Sequence, residues 1–300
     1  MDLATFVQLF VNGLGKGAVY ALLALGFVII FKATEVVNFA HGSLVLVGGY
    51  VVYALKDTLG WPAAALVGIV SAALAGLILE RGLLANARSA DHNSLALLTI
   101  GVDVIITEEI VRRVGADIPF IGDPYDSQPI QLAGVTIFRT QAIALVVGAV
   151  LITAFFLAFR FSNWGVAMRA QAENKEAAAL MGIRSSRVTA TAWLVAGALA
   201  GVAVLFMATQ DFSGAGLGRG THAIALIAFP AAILGGLDST AGAIVGGLIV
   251  GVTEALTSAN VDFLPFLGPE FSKSAVFLVM LVVLVIRPSG LFGTKELSRV

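Results

Sequence analysis

The chain has 300 residues, of which 58% are hydrophobic and 12% are charged, and its mean hydropathy is +0.95. Soluble domains contain about 25% charged residues, so this composition excludes an ordinary soluble domain and predicts an integral membrane protein. The net charge of −1, without a basic tail, argues against nucleic-acid binding, and the lack of cysteine excludes disulfides and thiolate metal sites.

The N-terminal segment begins with Met1 and Asp2, and no positively charged region precedes its first apolar run. We therefore expect no removable signal peptide, so that the first hydrophobic segment stays in the mature protein. Leu3 to Val11 fits either an interfacial helix or part of a membrane crossing, and Gly17 to Phe31 forms the next apolar stretch.

The apolar pattern is first interrupted in the segment Val36 to Leu55, where an amide, an imidazole and a hydroxyl occur close together in Asn38, His41 and Ser43. Non-helical backbone persists at membrane depth only where it is buried in protein or lines a wet cavity. A discontinuous helix that begins near Gly42 would direct its N–H groups and its positive dipole end at such a cavity, which suits a carboxylate. The alternative is that these polar residues only cap helix ends at the cytoplasmic surface.

A single acid, Asp103, is predicted to lie deep inside an apolar segment, which runs from Ser94 to Ile106. Because an unpaired buried carboxylate is costly, it should face the interior with a partner, be protonated or mark a pathway. Thr99 and Thr107 lie one helical turn away on the same face. We interpret Asp103 as a structural or cavity-lining residue rather than a proton carrier.

The stretch from Arg112 to Thr140 is predicted to be a loop because it carries turn-forming residues. These are Pro119, Asp123, Pro124, Asp126 and Pro129. If Lys32, the 81–88 loop, the 160–187 loop and the C-terminal tail are cytoplasmic, 11 of the 18 lysines and arginines lie on that side, in line with the positive-inside tendency. The 112–140 loop and the stretch from Asn260 to Phe271 are then extracytoplasmic.

The loop 160–187 contains a predicted helix from Met168 to Met181, because alanines alternate there with charged residues that favour helices. Gly182 occupies the usual position of a C-terminal stop. The helix would be short, cytoplasmic and of mixed polarity. This composition alone fits an ordinary amphipathic surface helix equally well.

A second interruption begins at Gly235 and Gly236, which predict a tight turn, and Asp238, Ser239 or Thr240 would cap the helix that follows. Short apolar segments interrupted by glycine also mark transporter pathways. Other glycines recur at four-residue spacing, which is typical of close helix packing. They are Gly197 with Gly201, Gly242 with Gly246, and Gly247 with Gly251.

Three apolar stretches are long enough to cross a bilayer, which takes about 20 apolar residues. They are Trp61 to Leu79, Gln141 to Phe159 and Val188 to Gln210. Shorter apolar stretches lie between and after them. The sequence predicts an all-α, polytopic membrane helical bundle in one transmembrane domain, residues 1–300. We expect about nine transmembrane helices, with eight or ten as alternatives and some of them short or discontinuous.

Catalytic and metal-binding patterns are poor in this sequence. It has three histidines, no G-x-S-x-G turn, no H-E-x-x-H helix and no G-x-x-x-x-G-K-[ST] phosphate loop. We predict that the chain is not an enzyme, holds no metal or cofactor of its own and does not hydrolyse ATP by itself.

Several motifs carry a resemblance to a known family. Glu176-Ala177-Ala178 followed by Gly182 matches the first half of the EAA loop of ABC-importer permeases, although the later isoleucine and proline of that pattern are missing. The other motifs are Val37 to Gly42, Ala232 to Leu237 with Gly246-Gly247, and Arg287 to Gly293. In this order, the chain resembles the shorter permease subunit of high-affinity branched-chain amino acid ABC transporters.

The resemblance implies partners and a substrate. In that family a shorter and a longer permease pair in the bacterial inner membrane, two ATPase subunits that bind ATP and Mg²⁺ dock on cytoplasmic loops, and a periplasmic binding protein delivers substrate. This chain would carry branched-chain or other hydrophobic amino acids, with a longer permease or, alternatively, a second copy of itself. The family also includes permeases for urea, short amides and aromatic acids, and Ser43 stands where relatives are often acidic.

The expected site residues form two groups. The coupling helix, on which the ATPases act, would include Arg169, Glu173, Glu176, Ala177 and Gly182. The expected substrate pathway combines the two interruptions with the polar face around Asp103. It comprises Asn38, His41, Gly42, Ser43, Thr99, Asp103, Gly235 and Gly236. An ion-coupled secondary transporter is the alternative of a different class, and Asp103 is its only support.

Overall fold

The computed structural model describes residues 3–87, 91–115, 119–122, 124–125, 128–132, 134–260 and 271–294. The loop residues Asp123 and Asp126, most of the predicted extracytoplasmic stretch from Asn260 to Phe271, and the end of the C-terminal tail lie outside the described residues.

The described residues form twelve helices and one small sheet. The helices are α1 (Leu3–Thr34), α2 (His41–Leu59), α3 (Trp61–Leu79), α4 (His92–Val114), α5 (Arg139–Phe161), α6 (Asn163–Glu173), α7 (Lys175–Leu180), α8 (Ser185–Met207), α9 (Gln210–Ser213), α10 (Arg219–Gly235), α11 (Thr240–Ser258) and α12 (Phe271–Ile286). A π-helical turn, Glu80–Leu84, continues α3. Strands β1 (Ile130–Leu132) and β2 (Val135–Ile137) pair antiparallel.

Length and apolarity qualify five helices of the described chain as membrane spans: Leu3–Thr34, Trp61–Leu84, Arg139–Phe161, Ser185–Met207 and Thr240–Ser258. The three long predicted crossings are among them. Nine helices within the described ranges have at least 16 residues, which equals the predicted number of crossings. The all-α, polytopic membrane fold is confirmed, whereas the exact number of crossings stays a prediction.

The predicted helix from Met168 to Met181 is wrong, because the structure divides it into α6 and α7 at Asn174. Asn174 has an extended backbone, with φ −156° and ψ 105°, and its side chain accepts a hydrogen bond from the N–H of Ala177 at 2.9 Å. Asparagine favours such caps over helix interiors. The stop at Gly182 is confirmed, because its φ of +84° lies in the left-handed region that favours glycine.

Other predicted boundaries also shift. Leu3 to Val11 is not a separate helix but part of α1. The helices α4 and α5 extend into both ends of the predicted 112–140 loop, and the β-hairpin lies within that loop, where the sequence patterns do not predict strands. The predicted 160–187 loop likewise contains the end of α5, all of α6 and α7, and the start of α8.

Side-chain caps fix the start of several helices. Ser239 accepts a hydrogen bond from the N–H of Gly242 at 3.0 Å and so provides the predicted cap of α11. Asp91 caps α4 through the N–H of Ser94. Hydrogen bonds from the side chain and backbone of Ser94 hold the pKa of the Asp91 carboxyl below its ordinary value.

One compact unit comprises residues 1–28, 125–148 and 226–300. Its α1 and α11 approach closely at glycines: a Cβ added to Gly17 would lie 2.8 Å from the Cα of Leu248. Small residues allow such backbone contact between membrane helices. Polar contacts cross the same pair, because the Lys16 ammonium lies 3.1 Å from the Glu254 carboxylate and Tyr20 donates to Glu254 at 2.5 Å.

A second compact unit comprises residues 29–124 and 149–225. Its helices α2, α3 and α8 pack on one another. A Cβ added to Gly48 would lie 3.2 Å from the Cα of Gly201, and one added to Gly76 would lie 2.6 Å from the carbonyl oxygen of Trp193. The predicted packing role of the Gly197 and Gly201 pair is therefore confirmed in this unit.

Candidate functional site

The first interruption of the apolar pattern is a non-helical strap, residues 35–40, between α1 and α2, in which Val36, Asn38 and Ala40 are buried. Asn38, His41 and Ser43 are each fully buried. The Asn38 side chain accepts a hydrogen bond from the N–H of Ala40 at 3.0 Å, and the Ser43 hydroxyl donates to the carbonyl of Ala40 at 2.9 Å. The predicted helix start near Gly42 is confirmed, because α2 begins at His41, whereas a discontinuous helix that faces a cavity stays a prediction.

The polar face of α4 contacts this strap. Thr99 accepts a hydrogen bond from the N–H of Phe39 at 3.0 Å, and one oxygen of Asp103 accepts from the N–H of Ser43 at 3.1 Å. Thr99, Asp103 and Thr107 are all buried, as their predicted common face requires. The Asp103 carboxylate thus lies at the N-terminus of α2, where free N–H groups and the helix dipole favour a negative charge.

The second oxygen of Asp103 lies 2.8 Å from Nε2 of His222, in the first turn of α10. Only 12% of the Asp103 side chain and 14% of the His222 side chain are exposed. Asp103 therefore has the interior partner that a buried carboxylate needs. We call Asn38, Ser43, Thr99, Asp103 and His222 the polar cluster.

His222 is the functional candidate that the sequence interpretation missed. It lies 119 residues from Asp103, so no local periodicity connects them. The available signal was that an intramembrane acid needs a partner and that the chain has only three histidines.

Two further acids are buried or partly buried just outside the apolar stretches that the sequence predicts. Glu80 is 3% exposed and accepts a hydrogen bond from Thr189 at 2.8 Å. Glu254 is partly buried between Lys16 and Tyr20. Both acids stand just beyond the predicted apolar stretches, and the helical structure continues past those limits.

Two polar atoms, one in the strap and one on the polar face of α4, have no hydrogen-bond partner in the part of the chain that the structure describes. Nδ2 of Asn38 and the hydroxyl of Thr107 are buried without a hydrogen bond to any described residue. Buried polar groups are rarely left unsatisfied, so each such group calls for an explanation. These two atoms can donate to a polar solute, which fits the predicted pathway role of the strap.

The second interruption lies in the other unit and is closed by backbone contacts and by Asp238, whose carboxylate accepts hydrogen bonds from the N–H and the hydroxyl of Thr294. The turn between α10 and α11 meets the segment after α12: the N–H of Leu291 donates to the carbonyl of Leu234, and the N–H of Phe292 to that of Gly235, both at 2.9 Å. Gly236 has a φ of +107°, and a Cβ there would lie 2.6 Å from the N of Gly293. The pathway role of Gly235 and Gly236 stays a prediction.

The segment from Asn163 to Gly182, which we call the coupling segment, is anchored at α6 and exposed at α7. Gln171 donates to the carbonyl of Ala33 at 2.8 Å. Arg169 donates to the carbonyl of Phe159 and covers its ring, with 5.2 Å between the guanidinium carbon and the ring centroid.

The outer surface of the coupling segment is accessible. Glu173, Glu176 and Ala177 are exposed, and the apolar side chains of Leu180 and Met181 are 89% and 83% exposed. An exposed apolar tip beside charged residues is typical of a protein contact surface. The predicted coupling roles of these residues and of Arg169 and Gly182 stay predictions.

Comparison with known proteins places the chain in a family. The family described as "Branched-chain amino acid transport system / permease component" matches residues 9–285. The chain belongs to this family. The permease is therefore a multi-pass membrane protein of a transport system.

Named relatives cover nearly all of this permease. It is 30% identical to the high-affinity branched-chain amino acid transport system permease protein LivH of Escherichia coli K12, over 98% of each chain. It is 28% identical to the corresponding protein BraD of Pseudomonas aeruginosa, again over 98% of each chain. The probable LivH permease of Methanocaldococcus jannaschii is 31% identical over 93% of this chain and 90% of the relative. No solved structure matches the permease.

Proposed function

We propose that the permease is the membrane subunit of an ABC importer for branched-chain or other hydrophobic amino acids. The family match over residues 9–285 carries this proposal. The relatives from Escherichia coli, Pseudomonas aeruginosa and Methanocaldococcus jannaschii, which are all named as branched-chain amino acid permeases, support it. Urea, short amides and aromatic acids are the alternative substrates within the same family.

The proposed machine needs further subunits. Two ATPase subunits bind ATP and Mg²⁺, a periplasmic binding protein selects and delivers the substrate, and a second, longer permease completes the pathway; a homodimer is the alternative. This chain needs no cofactor of its own and performs no covalent chemistry. It lies in the bacterial inner membrane, in contact with lipid, with the coupling segment and the C-terminus in the cytoplasm.

The contacts of the coupling segment support a route by which movement of the ATPases reaches the membrane helices. The exposed α7 offers a surface to the ATPases, and the anchors of α6 reach two other helices. Gln171 links it to the end of α1, and Arg169 links it to the end of α5. Movement of α7 would therefore displace the ends of α1 and α5, together with α8, to which the chain continues directly. Alternating access follows if this displacement opens one side of the pathway and closes the other.

Reconstitution of the permease with its ATPases, its binding protein and the second permease tests the proposal. We expect ATP-driven leucine uptake that Glu176→Lys combined with Gly182→Pro reduces at least tenfold, because the double change alters the charge and the end of α7. Asp57→Lys, a charge reversal at an exposed position of α2, is the control. Normal uptake by the double variant, or uptake that follows a pH or sodium gradient without ATPases, would contradict the proposal.

A further inference from the structure

A cavity of about 300 Å³ lies beside the coupling segment, within the second unit. Residues at the end of α1, in the π-helical turn and at the starts of α4, α7 and α8 line it. None of the five residues of the polar cluster lines this cavity. Its volume lies at the lower end of the about 300 to 1,000 Å³ that is typical of small-molecule sites.

The cavity combines two opposite charges. Glu80, which is 3% exposed, contributes a carboxylate, and Lys175, the first residue of α7, contributes an ammonium group. The Thr189 hydroxyl, which also lines the cavity, donates to Glu80 and fixes the carboxylate on its wall. A ligand that carries both a cation and an anion therefore matches the charges of this cavity.

A third polar group points to a ligand with an acceptor. Trp193 is fully buried and lines the cavity, and its indole N–H has no hydrogen-bond partner among the described residues. A buried indole N–H usually finds an acceptor. The remaining wall is apolar at Val36, Leu84 and Leu95, so the cavity can also hold a hydrophobic side chain.

The backbone beside the cavity is unusual as well. The turn Glu80–Leu84 is π-helical, and both of its terminal residues line the cavity. A π-helical turn contains one extra residue per hydrogen-bonded ring and is costlier than an α-helical turn, and such turns occur frequently at functional sites. Here the turn begins at the buried carboxylate itself.

We propose that this cavity binds a free apolar α-amino acid. The ammonium group of the ligand contacts Glu80, its carboxylate accepts from the indole of Trp193 and from Lys175, and its side chain packs on the apolar wall. The inference rests on the proposed function, because that function supplies the amino acid on the side of the coupling segment. Bound there, the ligand joins the start of α7 to α3 and α8, so that accumulated product restrains the coupling segment and slows import.

Binding of radiolabelled L-leucine to the assembled permease and ATPase subunits, without the binding protein, tests this site. Trp193→Phe keeps an aromatic ring and removes only the N–H, and we expect about tenfold weaker binding, as for one hydrogen bond to a charged group. Trp61→Phe is the matched control, because it makes the same substitution at the start of α3, outside the coupling segment, and Trp61 does not line the cavity. We expect wild-type affinity in this control.

A second pair of measurements tests the charge match. Wild-type protein should prefer leucine to 4-methylpentanoate, which lacks the ammonium group, and Glu80→Gln should abolish that preference. In reconstituted vesicles, leucine loaded on the coupling-segment side should slow uptake by wild type and Trp61→Phe more than uptake by Trp193→Phe.

The outcomes separate this inference from the proposed function. Equal leucine affinity in the two tryptophan variants, or no saturable binding to a transporter that still shows ATP-driven uptake, overturns the cavity site and leaves the importer proposal intact. If loaded leucine slows uptake by the two variants equally, the inference that bound leucine restrains the coupling segment is wrong. If the wild-type assembly shows no ATP-driven uptake, the proposed function itself is contradicted.

Discussion

The polar cluster is held together by side-chain acceptors, whereas the turn between α10 and α11 is held mainly by backbone groups, with the Asp238 carboxylate as an additional acceptor for Thr294. In the first, Asp103 joins the start of α2 to His222. In the second, the carbonyls of Leu234 and Gly235 accept hydrogen bonds from N–H groups of the segment after α12. Glycines allow these two backbone segments to approach closely, because a side chain there would push them apart. Both regions interrupt the apolar pattern, and the first also contains two buried donors, Nδ2 of Asn38 and the hydroxyl of Thr107, that have no partner among the described residues.

The difference predicts that the backbone turn tolerates substitution least. Gly236→Val should prevent stable folding, at a cost of about 3 kcal/mol or more, because the new side chain meets the backbone of Gly293 and strains a φ of +107°. Size-exclusion chromatography of the detergent-extracted protein measures the folded fraction. Gly101→Ala is the control, because a Cβ there meets nothing within 4 Å, and alanine favours a helix. A normal folded yield of Gly236→Val would show that the close packing of this turn is not required.

The polar cluster should show a smaller loss of stability and a clear loss of transport. Asp103→Ala leaves the N–H of Ser43 and the imidazole of His222 without their shared acceptor, which should cost about 1 to 3 kcal/mol. Uptake should fall further than this loss of folded protein explains, if the cluster contributes to the pathway. Thermal unfolding in detergent and uptake per folded molecule separate the two effects.

A double-mutant cycle tests whether the pair acts as a unit. If His222 stabilises the fold mainly through Asp103, then His222→Ala should add little in the Asp103→Ala background, because neighbours in one network are not additive. Thr58→Ala, at an exposed position of α2, is the control and shows how much an alanine substitution outside the Asp103–His222 pair changes the measured stability. Full additivity of the two losses would contradict the paired role of Asp103 and His222.

Local patterns predicted what depends on local physics. Apolar runs predicted three of the five described helices that qualify as membrane spans, the polar run at Asn38 to Ser43 predicted the start of α2, and Ser239 was one of three predicted caps of α11. The partner of Asp103 could not be read in this way, because periodicity relates only residues a few positions apart. Asn174 was readable in principle, since asparagine favours caps, but the alanines around it favoured one continuous helix.

The contact between Lys16 and Glu254 shows the same limit at greater range, because 238 residues separate the two side chains. An apolar count ends one of the shorter stretches, Thr240 to Thr253, just before Glu254, since a charge normally ends such a run. Once Lys16 and Tyr20 face the carboxylate, the helix can continue, because a paired charge is far less costly inside a membrane protein than an isolated one. Tertiary pairing thus decides the length of α11.

The smallest predicted effect concerns the compact unit that contains α11, where Lys16, Tyr20 and Glu254 form a side-chain network. Tyr20→Phe keeps the ring and removes the hydroxyl that donates to Glu254 at 2.5 Å. Lys16 still pairs with the carboxylate, so we expect a loss of only about 1 kcal/mol, seen as a modest fall in the thermal unfolding midpoint. Tyr53→Phe, where the ring retains its contact with Lys56, is the matched control and should change the midpoint less. A loss as large as that of Gly236→Val would mean that this unit depends on its side-chain network as strongly as on its glycine contacts.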